Sequence, residues 1–232
     1  MRICGPVIVR LCGGEEEDGL HGRTLLLPCW PGNGNRPVLR VTSPIVTEFR
    51  AAAVLWGVWL AAWLLASRGT AKTVIRQTFA SRVFHSAPSW VGAALLFFDS
   101  GRLGILERAI FSPSTWIGWI GVALIALGLA WAGWARIHLG RLWSATVTLK
   151  ADHTIIRSGP YALTRHPIYT GLLCALLGTT VVRDSSGALL GFALCTLGFL
   201  LKIRQEEQLL TTHFGDAYRD YRGQVPSLIP FL

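Results

Sequence analysis

Charged residues are scarce in this chain. They make up 15% of its 232 residues, against about 25% in ordinary soluble domains, and only three of the 22 cationic residues are lysines. Apolar residues make up 51%, the mean hydropathy is +0.44, and the apolar residues lie in blocks that contain almost no charge. This composition excludes a disordered chain, a coiled coil and a collagen-like repeat. It predicts a polytopic membrane protein.

The patterns of metal and nucleic-acid sites are also missing. The five cysteines form no C-x-x-C pair, and Cys174 and Cys195 lie inside apolar blocks, so we expect neither a zinc site nor a disulfide framework. His138, His153 and His166 lack the i, i+4 spacing of helical ligands and have no carboxylate companion among them, so no metal is expected. The net charge of +9 comes from loops between apolar blocks, so no nucleic-acid partner is expected.

Residues 1–43 differ from the rest of the chain. They contain a Gly/Pro cluster at residues 31–34 and the acidic run Glu15–Asp18, and they have no apolar run long enough for a signal peptide. We expect a disordered tail or a misassigned start codon. Met1 is the only methionine, so a later start would need a codon other than ATG.

Five apolar blocks follow and predict an all-α, polytopic membrane helix bundle of about five transmembrane helices. The blocks are Ala51–Ala66 (preceded by Ile45–Phe49), Pro88–Phe98, Thr115–Ala135, Ile168–Val182 and Gly187–Leu201. The second block reaches spanning length only if residues 82–87 are included. The third has tryptophans at both ends, as expected at the two interfaces of a bilayer. We assign N-terminal transmembrane helices to 44–135 and a C-terminal core, with the last two spans, to 136–232.

The last two blocks are joined by only Arg183–Ser186, which predicts a tight helical hairpin. Gly187 and Gly191 form a small-xxx-small pair within the fifth block. Small residues at this spacing let helix backbones come close in a membrane. We therefore expect this pair to bring the two helices of the hairpin together.

The distribution of cations predicts the orientation in the membrane. Thirteen Lys and Arg residues lie in the 67–87 loop, the 136–166 segment and the stretch from residue 202 onward, whereas the opposite loops hold three apart from the tail. The positive-inside rule places the N-terminus outside and the C-terminus in the cytoplasm. The excess of Arg over Lys is typical of a GC-rich genome and favours a bacterial inner membrane.

The polar residues on the cytoplasmic side include candidates for a binding site. Pro167 fits the first turn of the fourth span, which puts His166 near its N-cap and Tyr169 on the same face. Glu206 and Glu207 follow the fifth span, and adjacent carboxylates at a membrane interface favour a cationic ligand. Each feature taken alone fits an ordinary interfacial helix end better than a binding site.

Taken together, these residues form a specific pattern. It consists of Gly159-Pro160-Tyr161, Arg165-His166-Pro167-x-Tyr169-x-Gly171, Glu206-Glu207 and Phe214-Gly215-x-x-Tyr218-x-x-Tyr221. The pattern resembles the isoprenylcysteine carboxyl methyltransferase family, whose wider relatives include phospholipid N-methyltransferases. The resemblance covers about residues 136–232, so this core would be the catalytic part.

The resemblance implies that S-adenosylmethionine is held between the last helical hairpin and the C-terminal cytoplasmic helices. The cofactor-binding residues it implies are His153, Thr154, Ile155, Ile156, Tyr161, His166, Pro167, Ile168, Tyr169 and Glu206. The catalytic residues it implies are Lys202, Arg204 and Glu207. The family has an arginine at the position of Lys202, and lysine keeps the charge but loses the bidentate fork. No G-x-G-x-x-G occurs in the chain, so the soluble Rossmann methyltransferases are not the pattern to follow.

The implied reaction is methylation of the carboxylate of a prenylcysteine-like or other lipidic substrate by in-line displacement. A carboxylate is already ionised at neutral pH, so alignment and a dry pocket would suffice, with Lys202 or Arg204 orienting the acceptor. Phospholipid N-methylation is an alternative and would need a base such as Glu207 or His166. A nicotinamide-dependent membrane reductase and a non-enzymatic scaffold or transporter are further alternatives. We expect the bilayer and a lipidic or isoprenoid small molecule as partners.

Overall fold

The structure is a computed structural model. It describes residues 44–67, 73–76, 79–98, 106, 108–110, 115–140, 143, 148–150 and 154–230. The predicted tail at residues 1–43 and the predicted cofactor residue His153 lie outside these residues.

Six α-helices lie within the described part of the chain. They are α1 (Pro44–Ala66), α2 (Phe79–Phe97), α3 (Thr115–Leu139), α4 (Pro167–Arg183), α5 (Ser186–Phe214) and α6 (Asp216–Gln224). A 3-10 turn, Gly159–Ala162, precedes α4. Every predicted apolar block is helical, and the 82–87 segment that the second block needed belongs to α2.

Three helices in the described ranges are long and apolar enough to cross a membrane: α1 from Thr47, α3 and α5. The apolar part of α2, Ser86–Phe97, and α4 are shorter. The helical membrane fold is therefore confirmed, whereas the number of five spans stays a prediction. Many large apolar side chains point away from the bundle, among them Trp116 at 81% exposure and Ile137 at 80%. Such a surface suits lipid as the solvent.

Helix α5 extends well beyond its apolar part. It begins at the N-cap Ser185, whose side chain accepts a hydrogen bond from the Ala188 N–H, and ends at Gly215, which adopts a φ of +57°. Its 29 residues span roughly 43 Å at helical rise. Because no breaker follows Leu201, the last turns carry Glu206 and Glu207 past the apolar part on a rigid rod.

A short antiparallel strand pair was not predicted. Strand β1 (Thr73–Arg76) pairs with β2 (Thr148–Lys150), with Ile75 opposite Leu149. Segments of three or four residues are too short for their apolar periodicity to be read. The pair joins the 67–87 loop to the 136–166 segment, so these two cationic stretches lie at the same end of the bundle.

Glycines let α3 and α4 pack backbone to backbone. A Cβ atom on Gly171 would lie 2.5 Å from the carbonyl oxygen of Gly128, and one on Gly178 would lie 2.5 Å from that of Gly121. Only glycine fits such an approach. The contact aligns the start of α4, where the candidate residues lie, with the end of α3.

The predicted role of Gly191 in the α4–α5 hairpin is wrong. A Cβ atom on Gly191 would lie 2.7 Å from the carbonyl oxygen of Gly92 and 3.0 Å from the side chain of Leu96, both on α2. The small-residue face of α5 therefore packs on α2 while the small-residue face of α4 packs on α3. A short connection keeps two successive helices near each other, but the positions of the small residues decide which neighbouring helix each one packs against most closely.

Two glycine-to-alanine changes in α3 test this packing. Gly128→Ala should lower stability by about 1–3 kcal/mol, because a Cβ there meets the Ala175 amide nitrogen at 2.5 Å. Gly133→Ala is the matched control, since nothing lies within 4 Å of a Cβ at that position. The control should be neutral or more stable by about 0.5–1 kcal/mol, because alanine is the better helix former. The apparent Tm in detergent is the measurement, and equal Tm values for the two variants would contradict close α3–α4 packing.

Candidate active site

The candidate site forms where α4 begins. As predicted, Pro167 occupies the first turn of the helix and His166 is its N-cap residue. The His166 side chain makes no capping hydrogen bond, so its imidazole is available for other contacts. The preceding 3-10 turn starts at Gly159, whose φ of +59° and contact with the His138 ring leave no room for a side chain. This turn buries Tyr161 beside the start of α4.

A buried imidazole between two carboxylates is the centre of the site. The Nε2 atom of His166 lies 3.2 Å from Oε1 of Glu207, and its Nδ1 atom lies 3.6 Å from Oε2 of Glu206. The Tyr169 hydroxyl donates a hydrogen bond of 2.7 Å to Oε1 of Glu206. The two glutamates are adjacent in α5, and the imidazole at the start of α4 contacts both.

Glu207 is held by two arginines as well as by the imidazole. Arg165 Nε and Nη2 lie 2.9 Å and 2.8 Å from Glu207 Oε1, and Arg222 Nε lies 3.6 Å from Oε2. The carboxylate and Arg165 are both about nine-tenths buried. A buried carboxylate needs such partners, because an unpaired one would lose its hydration without compensation. Glu207 is therefore committed to contacts within the protein.

The charges around His166 determine its protonation. Burial alone would lower the pKa of His166, but hydrogen bonds to Glu206 and Glu207 and their negative charges outweigh it, and the net pKa is raised above 6.5. A cationic imidazole between two carboxylates is the state that this geometry favours. An imidazolium carries a proton on both ring nitrogens, so it is a poor candidate for a general base.

Three tyrosines near the cluster remain protonated. Burial, followed by the negative charge of Glu206, raises the pKa of Tyr161 well above its usual value, and burial raises the pKa of Tyr221 to about 12. The pKa of Tyr218 is raised mainly by burial. Tyr221 donates its hydroxyl to the Tyr161 carbonyl at 2.6 Å, which links α6 to the 3-10 turn. The spaced tyrosines of the C-terminal motif thus have a packing role.

Several of the predicted site residues come together in the structure. His166, Tyr169, Glu206 and Glu207 form the cluster, and Lys202 lies beside it with Nζ 5.5 Å from the Tyr169 ring centroid. Pro167 is fully buried at the start of α4, and Ile168 is half-buried next to it.

Other predicted residues lie apart. Thr154 is exposed, Ile155 and Ile156 are half-buried, and no hydrogen bond or ion pair joins them to the cluster in the described residues. Arg204 is exposed on α5, two residues from Glu206 and hence on another face of the helix. The structure therefore brings Lys202, but not Arg204, to the cluster.

Sequence reasoning gave no role to two arginines that the cluster depends on. Arg165 stood in the recognised motif, directly before His166, and this adjacency was the available signal. Arg222 lies in a polar helix where nothing in the sequence sets it apart. Among the described residues, no group of three or more His, Cys, Asp or Glu side chains has the arrangement of a metal site.

Comparison with known proteins identifies the chain's relatives. The profile of the isoprenylcysteine carboxyl methyltransferase (ICMT) family matches residues 119–212, beginning earlier than the motif region. Protein-S-isoprenylcysteine O-methyltransferase B of Arabidopsis thaliana is 32% identical over 137 residues, which are 56% of this chain and 70% of that protein. The cobalt-zinc-cadmium resistance protein CzcN of Cupriavidus metallidurans is 31% identical over 164 residues, or 66% of this chain and 74% of CzcN.

Other relatives match over a smaller share of their length, and one solved structure shares the fold. Protein-S-isoprenylcysteine O-methyltransferase of Schizosaccharomyces pombe is 39% identical over 82 residues, 35% of each protein. The chain spans under half the length of this enzyme and of its vertebrate counterparts. A solved structure of the eukaryotic intramembrane Ras methyltransferase ICMT superposes with a TM-score of 0.56, at 24% identity, over 83% of this chain and 69% of that one.

The profile, the identity with curated enzymes and the shared fold agree with the motif residues gathered at the start of α4. The chain is an integral membrane protein, and it belongs to the isoprenylcysteine carboxyl methyltransferase family of methyltransferases.

Proposed function

We propose that this protein transfers a methyl group from S-adenosylmethionine to the carboxylate of a lipidic substrate. The observation that carries the proposal is the buried His166 between the carboxylates of Glu206 and Glu207, where α4 begins and the polar last turns of α5 lie. The family relationship supports the cofactor, and the site residues are our assignment.

The residues at this end of the bundle fit the chemistry of the cofactor. S-adenosylmethionine carries a sulfonium, an ammonium group, ribose hydroxyls and an adenine ring. Glu206 is the more accessible of the two carboxylates, with 23% of its side chain exposed against 11% for Glu207, so it can contact a cation or accept hydrogen bonds from hydroxyls. Tyr161 and Tyr169 offer aromatic faces beside it. We assign Glu206, His166, Tyr161 and Tyr169 to cofactor binding, with Ile168 and Pro167 packing behind them.

The cofactor supplies an activated methyl group, so the protein's share is alignment. Glu207 and His166 fix the position of Glu206 and do not exchange protons with the acceptor. Lys202, beside Tyr169, is the cation that we assign to orienting an anionic acceptor. Its position at the end of the apolar part of α5 suits a substrate that enters sideways from the bilayer.

The hydrogen bonds that Glu206 and Glu207 already accept within the cluster favour a carboxylate acceptor over an amine. An amine is protonated at neutral pH and must lose a proton to a base before it attacks. Glu207 already accepts from Arg165 and His166, and Glu206 accepts from Tyr169. A carboxylate needs no base because it is already ionised. Phospholipid N-methylation is therefore the second candidate.

We also propose five spans with the N-terminus outside and the C-terminus in the cytoplasm of a bacterial inner membrane. The shared end of the two cationic loops, which β1 and β2 join, supports the parity of this count. A reporter fused after Leu232 should be active only in its cytoplasmic form. Activity of a periplasmic reporter at the same position would contradict the proposed orientation.

Neutralising Glu206 tests the assigned cofactor site. Glu206→Gln keeps the shape but removes the charge, so the dissociation constant of S-adenosylhomocysteine should rise on the order of tenfold or more. Asp220→Asn is the matched control, because it makes the same chemical change at an exposed position of α6. Calorimetry in detergent is the measurement. Equal affinities for the wild-type protein and Glu206→Gln would contradict the site.

The chemical stability of the product distinguishes the two acceptor classes. With labelled S-adenosylmethionine and either a prenylcysteine analogue or phosphatidylethanolamine in lipid nanodiscs, we expect label transfer to the carboxylate compound. A methyl ester releases its label as methanol in mild alkali, whereas an N-methyl group does not. Alkali-stable label on phosphatidylethanolamine would overturn the carboxylate assignment and favour N-methylation.

A further inference from the structure

The chain after α6 lies along the start of α4. Helix α6 ends at Gln224, and Val225 adopts an extended conformation with φ −122° and ψ 129°. Pro226 follows, and proline cannot continue a helix. We call residues 225–228 the C-terminal strap.

The strap is hydrogen-bonded along its length to residues 164–170. The bonds run from the Arg165 N–H to the Pro226 carbonyl (2.9 Å), from the His166 N–H to the Ser227 carbonyl (3.1 Å), from Thr164 Oγ1 to the Ser227 carbonyl (2.8 Å) and from Thr170 Oγ1 to the Leu228 carbonyl (2.6 Å). Every acceptor is a backbone carbonyl of the strap. The contact therefore depends on the register of the strap more than on its side chains.

These bonds act on the backbone of the residue at the centre of the site. Backbone N–H groups at the start of a helix have no partner within the helix. The strap supplies one for His166, while the His166 side chain faces the two glutamates. Thr164 is fully buried between the two segments, so the contact is part of the packed interior.

Arg165 provides a second link between the strap and the cluster. Its Nη1 donates to the carbonyl of Val225 and, at 3.0 Å, to that of Arg222, while Nε and Nη2 contact Glu207. One side chain thus joins the end of α6, the first residue of the strap and a carboxylate of α5. A shift of the strap would move both Arg165 and His166.

We propose that the C-terminal strap is a positioning element of the active site, which holds His166 in register with Glu206 and Glu207. It acts through the backbone of His166 and the side chain of Arg165.

The pKa of His166 depends on its distance from the two glutamates, so titrating His166 measures its position without any ligand. The groups that face or adjoin it are Glu206 and Glu207 from α5, Tyr169 from α4, Arg165 from its own segment and Arg222 from α6. The carboxylates favour the imidazolium, so displacement of His166 from them lowers the pH at which it loses its proton. A change elsewhere in the fold that keeps His166 in contact with both glutamates would leave this titration unaltered.

A pair of glycine insertions tests the strap. One glycine inserted between Pro226 and Ser227 shifts the register of the bonded carbonyls, whereas one inserted after Leu228 adds the same residue beyond them. The full-length protein labelled with ¹⁵N-histidine has six histidines, and comparison with His166→Asn assigns the His166 signal. In the first variant the His166 titration should move toward the ordinary value near 6.5, and in the second it should match the wild type.

A second pair of variants, with smaller changes, keeps the test valid if the Pro226–Ser227 insertion variant does not fold. Thr170→Val removes the donor to the Leu228 carbonyl, and with it the longer 3.2 Å contact to the His166 carbonyl four residues back in the chain. Thr212→Val is the control, because Thr212 donates only to the Gln208 carbonyl of its own helix, at 2.9 Å. With the apparent Tm of both variants close to that of the wild type, Thr170→Val should lower the His166 titration and weaken S-adenosylhomocysteine binding by about tenfold, the effect of one or two lost hydrogen bonds.

The two measurements test the strap and the proposed function separately. S-adenosylhomocysteine binding depends on the proposed function, whereas the titration of His166 does not. A wild-type titration of His166 in both Thr170→Val and the Pro226–Ser227 insertion would overturn the positioning role. A lowered titration with no S-adenosylhomocysteine binding to the wild-type protein would support the strap and reject the proposed cofactor.

Discussion

A buried imidazole between two carboxylates requires the surrounding chain to hold all three groups in place, because each charge has lost its hydration. In this protein the requirement falls on elements that are distant in sequence. The imidazole of His166 comes from the end of a loop, the carboxylates from the last turns of α5, and the compensating Arg165 and Arg222 from two further segments. The rest of the fold brings these groups to one end of the bundle.

The close packing of α3 and α4 through glycines is the first condition for this arrangement. It places the start of α4 against the end of α3, and the length of α5 then carries its glutamates to the same level. The family profile begins at residue 119, within α3, which is consistent with α3 belonging to the core that the site depends on. The matched region starts before the motifs do, and the division of the chain at residue 136 stays a prediction.

The sequence was sufficient where a signal is local. The third apolar block predicted Thr115–Ala135 and the helix is Thr115–Leu139, since a bilayer-length apolar run has few alternatives. Pro167 marked the first turn of α4 because proline is restricted to such positions. The motif residues indicated which polar groups would meet, and His166, Tyr169, Glu206 and Glu207 do meet.

Features that depend on a partner distant in the chain could not be predicted from the sequence. The apolar block ends at Leu201 and does not mark the end of α5, because a helix ends where its backbone hydrogen bonds end and not where its apolar face does. The partner of Gly191 could not be known, because a small residue does not say which helix it will meet. Arg222 is an ordinary surface arginine until α6 packs beside Glu207, and the strap is bonded through carbonyls that every sequence possesses.

Cofactor choice is the central claim, and thermal protection of the detergent-purified protein tests it most directly. A ligand that binds only the folded state raises the melting temperature, and above its dissociation constant the stabilisation grows with the logarithm of the ligand concentration. The account predicts a concentration-dependent rise with S-adenosylhomocysteine and none with NADPH in a parallel titration. Protection by NADPH alone, or no shift at saturating S-adenosylhomocysteine, would contradict it.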